Sequence, residues 1–233
     1  MQYLGGKTRL SKAIAEIVNK DRGDRIFWDP FCGGLSVSVR LAAHGPGIVS
    51  DLNPALIALY QAVRDGWDPP RVVTEDQWAA AKDLPDSDPL KAFAGFGCSF
   101  GGMWFQSYAR SLKYDCSFAG TSRRALLRDI PKLEGCALEH RSFFDWNPRP
   151  LPLVIYCDPP YAGTRGYDKT GVFPHAQFWA RCVAWERAGV PVFVSEFSCP
   201  VPHRVLWEKT RRCGVRKRTH MATRTDYLFR VLH

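Results

Sequence analysis

Membrane-length apolar runs are missing from this chain, and its first residues, Met1-Gln-Tyr-Leu-Gly-Gly-Lys7, lack the apolar core of a secretion signal. A bilayer span needs about 20 consecutive apolar residues, so a soluble cytoplasmic protein with no membrane partner is expected. Paired cysteines are missing too. The eight cysteines are scattered singly, with no Cys-x-x-Cys. That argues against a zinc site and a disulfide framework, and leaves small core residues in a reducing compartment. The six histidines show no metal-ligand spacing, so no metal is expected. No low-complexity block and no internal repeat is present, which excludes solenoids and arrays.

Acidic charge is in short supply. Lys and Arg number 32 against 23 Asp and Glu, a net charge of +9. A basic balance favours a polyanionic partner, most often nucleic acid. From Arg204 to Arg224 eight basic residues (Arg204, Lys209, Arg211, Arg212, Arg216, Lys217, Arg218, Arg224) face a single acid, Glu208. With 233 residues, 45% of them hydrophobic, the chain is long and apolar enough for one large domain, or one domain with an insertion.

The most informative stretch is Leu153-Val-Ile-Tyr-Cys-Asp158-Pro159-Pro160-Tyr161. The run from Leu153 to Tyr156 is short and fully apolar, as a buried parallel strand is. Proline has no N–H for a ladder, so the strand stops at Asp158. A carboxylate is thereby held at the carboxyl end of a central strand, where open α/β sheets place ligands. Pro160 has no N–H, which leaves the Pro159 carbonyl to face a substrate, and Tyr161 adds a flat ring. Two acceptors and a stacking face suit a planar amine such as a nucleobase. The bland alternative is a proline-capped strand end with an exposed tyrosine.

Around this stretch the chain alternates strands and helices. Tyr3-Leu4-Gly5-Gly6-Lys7 reads as a glycine-containing loop before a helix carrying Leu10, Ile14, Ile17 and Val18 at helical spacing. Two glycines allow close approach to the backbone, and Lys7 could bind a carboxylate or phosphate; a solvated lysine is the alternative. Arg25–Asp29 reads as a strand, Pro30–Gly34 as a tight turn, and Leu35 to Ala43 as a helix closed by Gly45. Gly47–Asp51 is a second strand ending in an acid, and Asn53-Pro54 caps the next helix. An acid about 20 residues after a glycine turn suits ribose hydroxyls; a helix-capping role is the alternative.

From Gly66 to about Gly135 the rhythm breaks. Prolines at 69, 70, 85 and 89 interrupt it, and glycines and aromatics interleave from Gly95 to Phe105. Thr121-Ser122 is expected to cap a helix running to Leu133 with Arg123, Arg124, Arg128 and Lys132. Basic residues among aromatics suit nucleic-acid contact; a packed loop and a solvated helix are the alternative. The rhythm resumes with Ala137–His140, the central strand, a loop from Ala162 to Pro174 expected over the site, a helix from Ala176 to Ala188, and strands at Pro191–Ser195 and Asp226–Val231.

In order, Tyr3–Lys7, the Pro30–Leu35 turn, Asp51 and Asp158–Tyr161 resemble the Dam-like DNA adenine-N6 methyltransferases of bacteria and phages. The resemblance covers nearly the whole chain, with Asp-Pro-Pro-Tyr as its specific motif. It implies an α/β fold with a Rossmann-like methyltransferase sheet of about seven strands. The catalytic domain would be residues 1–65 and 136–233, with a small, mostly helical target-recognition subdomain inserted at 66–135. It implies methyl transfer from S-adenosylmethionine to adenine N6 in double-stranded DNA, with no metal. The catalytic residues would be Asp158, Pro159, Pro160 and Tyr161. The cofactor would be held by Tyr3, Leu4, Gly5, Gly6, Lys7, Asp29, Pro30, Phe31, Gly33, Gly34, Asp51, Asn53, Phe143 and Asp158. A monomer in solution, with a dimer on DNA as the alternative, and a bacterial or phage-infected cytoplasm follow by the same resemblance, as does a restriction-modification setting. The chain departs from the pattern twice. Leu35 stands at the second turn glycine, and Ser142 at an acid that often precedes Phe143. Cytosine-N4 or RNA-base methylation is the alternative chemistry, and a non-catalytic nucleic-acid-binding protein of the same fold the alternative class.

Overall fold

The computed structural model describes residues 1–110, 117–145, 152–163, 173–213 and 222–233. Its strands are β1 (Ile26–Asp29), β2 (Gly47–Asp51), β3 (Ala137–His140), β4 (Leu153–Cys157), β5 (Val192–Glu196), β6 (His203–Cys213) and β7 (Ala222–Val231). They form one seven-stranded sheet in the order β3-β2-β1-β4-β5-β7-β6. The pairs β1–β2, β1–β4, β2–β3 and β4–β5 are parallel, and β7 runs antiparallel to both β5 and β6. This is the Rossmann-like methyltransferase sheet expected from the sequence. The direction of crossover reverses between β1 and β4, and at such a switch point two loops diverge and leave a crevice.

Side-chain alternation explains the layers. Successive strand residues point to opposite faces. Phe27, Val154, Tyr156 and Phe193 pack into one apolar core, while Trp28, Ile155, Cys157, Val192 and Val194 pack into the other. The first face is covered by α1 (Ser11–Arg22) and α3 (Pro54–Arg64), the second by α7 (His175–Arg187). Burying each such side chain is worth about 1.5–3 kcal/mol, so β4, buried at all five positions, is tightly fixed and holds Asp158 at its end.

Local chemistry sets the helix starts. Asn53 is extended, and its side chain accepts from the N–H groups of Ala55 and Leu56, with Pro54 at the first position. The helix expected from Leu35 is shorter. It is α2 (Ser38–Leu41), continued by a 3₁₀ turn over Ala42–His44, because Leu35 has φ 64° and no helix runs through a left-handed residue. The cap expected at Thr121-Ser122 lies one turn earlier. Ser117 accepts from the Gly120 N–H at 3.0 Å and starts α6 (Phe118–Asp129), while Ser122 donates its hydroxyl to the Gly97 carbonyl at 2.9 Å. The described part of the basic stretch is mostly strand: β6 pairs along its length with β7, which starts four residues before the expected Asp226, while Arg216, Lys217 and Arg218 lie outside the described residues.

The segment from 66 to 135 is mostly helical, with α4 (Glu75–Ala80), α5 (Pro89–Ala92), α6 and short 3₁₀ and π turns. Its Phe93, Phe96, Cys98, Leu126 and Leu133 join the same apolar core as Phe27 and Val154 of the sheet. On α6, Arg123 pairs with Asp68 and Arg128 with Asp129, and Lys132 of the 3₁₀ turn that follows pairs with the same Asp129. No described helix is long and apolar enough to cross a membrane.

Candidate active site at the ends of the central strands

A cleft of about 760 Å³ opens at the carboxyl ends of β1, β2 and β4. Tyr3, Leu4, Gly5, Gly6, Lys7, Pro30, Phe31, Gly33, Gly34, Asp51, Asn53, Phe143, Asp158, Pro159, Pro160 and Tyr161 all line it. Residues from five separate parts of the sequence thus meet at the switch point. Asp29 does not line the cleft. It lies beneath the glycine turn, 2% exposed, accepting from the Ser38 hydroxyl at 2.6 Å and the Phe31 N–H at 3.2 Å. Burial pushes its carboxyl up to about 7. Part of the loop expected over the site, residues 164–172, lies outside the described residues; Phe173 and Pro174 border the cleft.

The glycine turn is shaped by what lies on it. A Cβ at Gly33 would come within 2.7 Å of the Tyr3 ring, and one at Gly34 within 2.8 Å of the Tyr3 Cβ. Only glycine lets the N-terminal segment lie flat there. Tyr3 is held from the other side by Phe96, at 4.7 Å between ring centroids. Beneath the turn, the buried Tyr60 hydroxyl donates to the Gly33 carbonyl at 2.5 Å. Asp51 ties turn to helix: one oxygen accepts from the Gly33 N–H and the other from the Asn53 N–H, each at 3.0 Å. Burial raises the Asp51 carboxyl above the ordinary carboxylate range, against these two N–H groups.

The acid–proline turn after β4 is held by side chains. The Lys7 ammonium lies 2.7 Å from Asp158 Oδ1, donates to the Gly5 carbonyl at 3.3 Å, and sits 4.4 Å from the centre of the Tyr161 ring. Behind Tyr161 stands Phe197, with ring centroids 4.5 Å apart and planes at 90°. Glu196, at the end of β5 and 1% exposed, accepts from the Ala162 and Phe197 N–H groups, both at 2.6 Å. Burial raises its carboxyl too.

Sequence reasoning missed several lining residues: Leu52, Phe96, Trp104, Arg141, Phe144, Phe173, Phe197 and Asp226. The strand-end rule that found Asp51 and Asp158 also applies to β5 and would have found Phe197. Leu52, Phe144 and Phe173 lie in segments already assigned to the site, while Phe96, Trp104, Arg141 and Asp226 are brought near by the fold. A second depression of about 1000 Å³ shares Tyr3, Gly6, Gly34, Ser36 and Gly101 with the cleft and lies across the N-terminal segment from it. It is lined by no residue that ends a strand, and its Arg128 and Lys132 share a single acid, Asp129.

The glycine turn, the acid after β2 and the N-terminal segment fall within one matched region. Residues 3–85 match the family of D12 class N6 adenine-specific DNA methyltransferases. That is an enzyme family acting on DNA, and the match agrees with the Dam-like resemblance of the motifs. It ends before Asp158–Tyr161, which geometry alone joins to the same cleft. No curated protein matches the chain.

Both departures from the adenine methyltransferase pattern have a local account. Leu35 takes the left-handed conformation, φ 64°, that a glycine adopts without strain. The strain is about 1–2 kcal/mol, and a side chain only 2% exposed recovers about as much by burial. Ser142 accepts the Phe144 N–H at 3.2 Å, and its own N–H is taken by Asp145 at 3.2 Å, so it closes the turn that carries Phe143.

Proposed function

We propose that the cleft binds S-adenosylmethionine and a flipped adenine, and that the protein methylates adenine N6 in double-stranded DNA. The observation that carries this reading is the meeting of Asp158–Tyr161 with the glycine turn and Asp51 in one cleft. The site chemistry fits the cofactor. Asp51 has lone pairs left beyond its two N–H partners and suits ribose hydroxyls. An ammonium has three donors; two of those on Lys7 face Asp158 and Gly5, and the third suits a methionine carboxylate. Phe31 and Phe143, 5.4 Å apart, give an apolar wall for the purine.

Bound there, S-adenosylmethionine supplies an electrophilic methyl group on a sulfonium. The protein's part is to make a poor nucleophile act. Adenine's amine has its lone pair spread into the ring. N–H bonds to the Asp158 carboxylate and the Pro159 carbonyl favour a localised pair and stabilise charge that develops on nitrogen. In the transfer the N–C bond would form as the C–S bond breaks, the sulfur would keep the pair, and the methylated amine would release one proton to water. Tyr161 stacks the extruded base. Positioning of the two reactants supplies the remaining rate. DNA is held by the exposed basic residues of β6 and β7, among them Arg204, Lys209 and Arg224, and target recognition falls to residues 66–135 with the β6–β7 hairpin.

Isotope-labelled S-adenosylmethionine incubated with unmethylated plasmid, followed by nucleoside analysis, tests this reading. Label in N6-methyladenine is expected. Label in N4-methylcytosine would move the assignment to the other amine, and no label with folded protein would leave a nucleic-acid-binding role.

A further inference from the structure

The two aromatic residues at the end of the cleft, Tyr161 and Phe197, come from different strand ends, and one buried carboxylate joins them. Glu196 accepts one N–H from Ala162, the residue directly after Tyr161, and one from Phe197 itself, both at 2.6 Å. Among the described residues, no other side chain accepts a hydrogen bond from either N–H. A carboxylate 1% exposed is costly to bury and is matched here by two short charge-assisted bonds. An apolar residue would cap β5 at less cost, so the charge has a purpose beyond ending the strand. Its effect is geometric: with both neighbouring backbones held to one rigid group, the Tyr161 and Phe197 rings stay in edge-to-face contact at 4.5 Å and 90°. Arg224 lies over the Phe197 ring at 5.3 Å, so the same wall reaches the basic hairpin.

We propose that Glu196 is a positioning residue for base capture: through Ala162 and Phe197 it sets the plane of the Tyr161 ring on which the extruded adenine stacks. The proposal rests on the reading of the cleft as an adenine methyltransferase site. Glu196 itself does not line the cleft. Its loss leaves the binding groups for S-adenosylmethionine in place and tilts the stacking face, so the base spends less time in the reactive pose.

The experiment compares wild type, Glu196→Gln and Phe197→Leu in single-turnover methylation at saturating cofactor. The substrate is an oligonucleotide duplex carrying the target site, identified beforehand by modified-base sequencing of plasmid methylated by the wild type. A second duplex mispairs the target adenine. A misplaced partner costs up to about a hundredfold, so Glu196→Gln should slow methylation of the paired duplex about tenfold to a hundredfold, with S-adenosylmethionine affinity unchanged by calorimetry. A mispaired base is cheaper to extrude, so the defect should shrink on the second duplex. A merely structural role would lower both rates alike. Phe197→Leu leaves Glu196 intact, is judged by the same two criteria, and decides the matter if Glu196→Gln does not fold. Wild-type rates per folded molecule, or equal defects on both duplexes, overturn the proposal. A wild type that makes no N6-methyladenine overturns the reading of the site instead.

Discussion

The two turns that face each other across the switch point are built on opposite principles. The turn after β1 is held by shape: glycines under the Tyr3 ring, a left-handed leucine, and backbone groups tied to Tyr60 and Asp51. The turn after β4 is held by charge: Lys7 on Asp158, and Glu196 on the backbone beyond Tyr161. A cofactor that is bound in every turnover profits from a rigid, close-fitting cradle. A carboxylate that must meet charge developing on nitrogen has to be aimed, and side-chain partners aim it. Lys7 contacts both turns, through its N–H on Ser36 at 3.1 Å and its ammonium on Asp158.

The sharpest way to break this contrast is at Asp158. If the second turn acts on developing charge, Asp158→Ala should lose about 10²–10³ in single-turnover rate while S-adenosylmethionine affinity falls little. Tyr161→Phe should keep much of the activity and Tyr161→Ala lose it, since stacking is worth about 1–3 kcal/mol per base. An Asp158→Ala protein that methylates at the wild-type rate removes this turn from the chemistry.

The first turn should fail differently. Gly33 has φ 42°, and a Cβ there would meet the Tyr3 ring at 2.7 Å. Gly33→Ala therefore adds left-handed strain and overpacking, together about 2–5 kcal/mol. Thermal melts should show that loss, with weaker cofactor binding by calorimetry and a maximal rate at saturating cofactor close to wild type. A variant with normal affinity and a collapsed maximal rate would mean that the two turns do not divide the work in this way.

The smallest effect expected is at Asp29, the buried acid under the first turn. Its folded pKa of about 7 lies above the unfolded value near 3.9. The native state therefore binds the proton more tightly, and the burial penalty grows as pH rises from about 4 to about 7, then stays constant. Asn removes that penalty. The stability of Asp29→Asn relative to wild type should rise by about 2 kcal/mol between pH 5 and pH 8 in urea melts. A difference that does not change with pH would show that Asp29 carries its charge at little cost.

Much of the molecule was legible in the chain because the signals are local. Strand ends announced by Asp51 and Asp158, the Asn53-Pro54 helix start, and the glycines of the first turn each follow from backbone chemistry within a few residues. The helix begins later than the expected Leu35 because a leucine gives no hint of a left-handed conformation, which here is fixed by burial among distant side chains. The cap on α6 lies earlier than expected because Ser117, Thr121 and Ser122 are chemically alike, and packing against Gly97 turns Ser122 inward. The acids beside the basic residues Arg123, Arg128 and Lys132, namely Asp68 and Asp129, are set there by the fold and are not signalled by the local sequence pattern.

The sequence by itself determined the alternation of strands and helices, the acid at the end of β4 and the glycine turn after β1, because these depend on propensity, periodicity and the missing N–H of proline. Tertiary structure alone decided that β4 lies beside β1, that Lys7 reaches Asp158 across 151 positions of chain, and that Glu196 braces Tyr161 from a neighbouring strand. Those contacts join residues far apart in sequence, and they arise from sheet order, which is set by the burial of two apolar faces and by no single stretch of the chain.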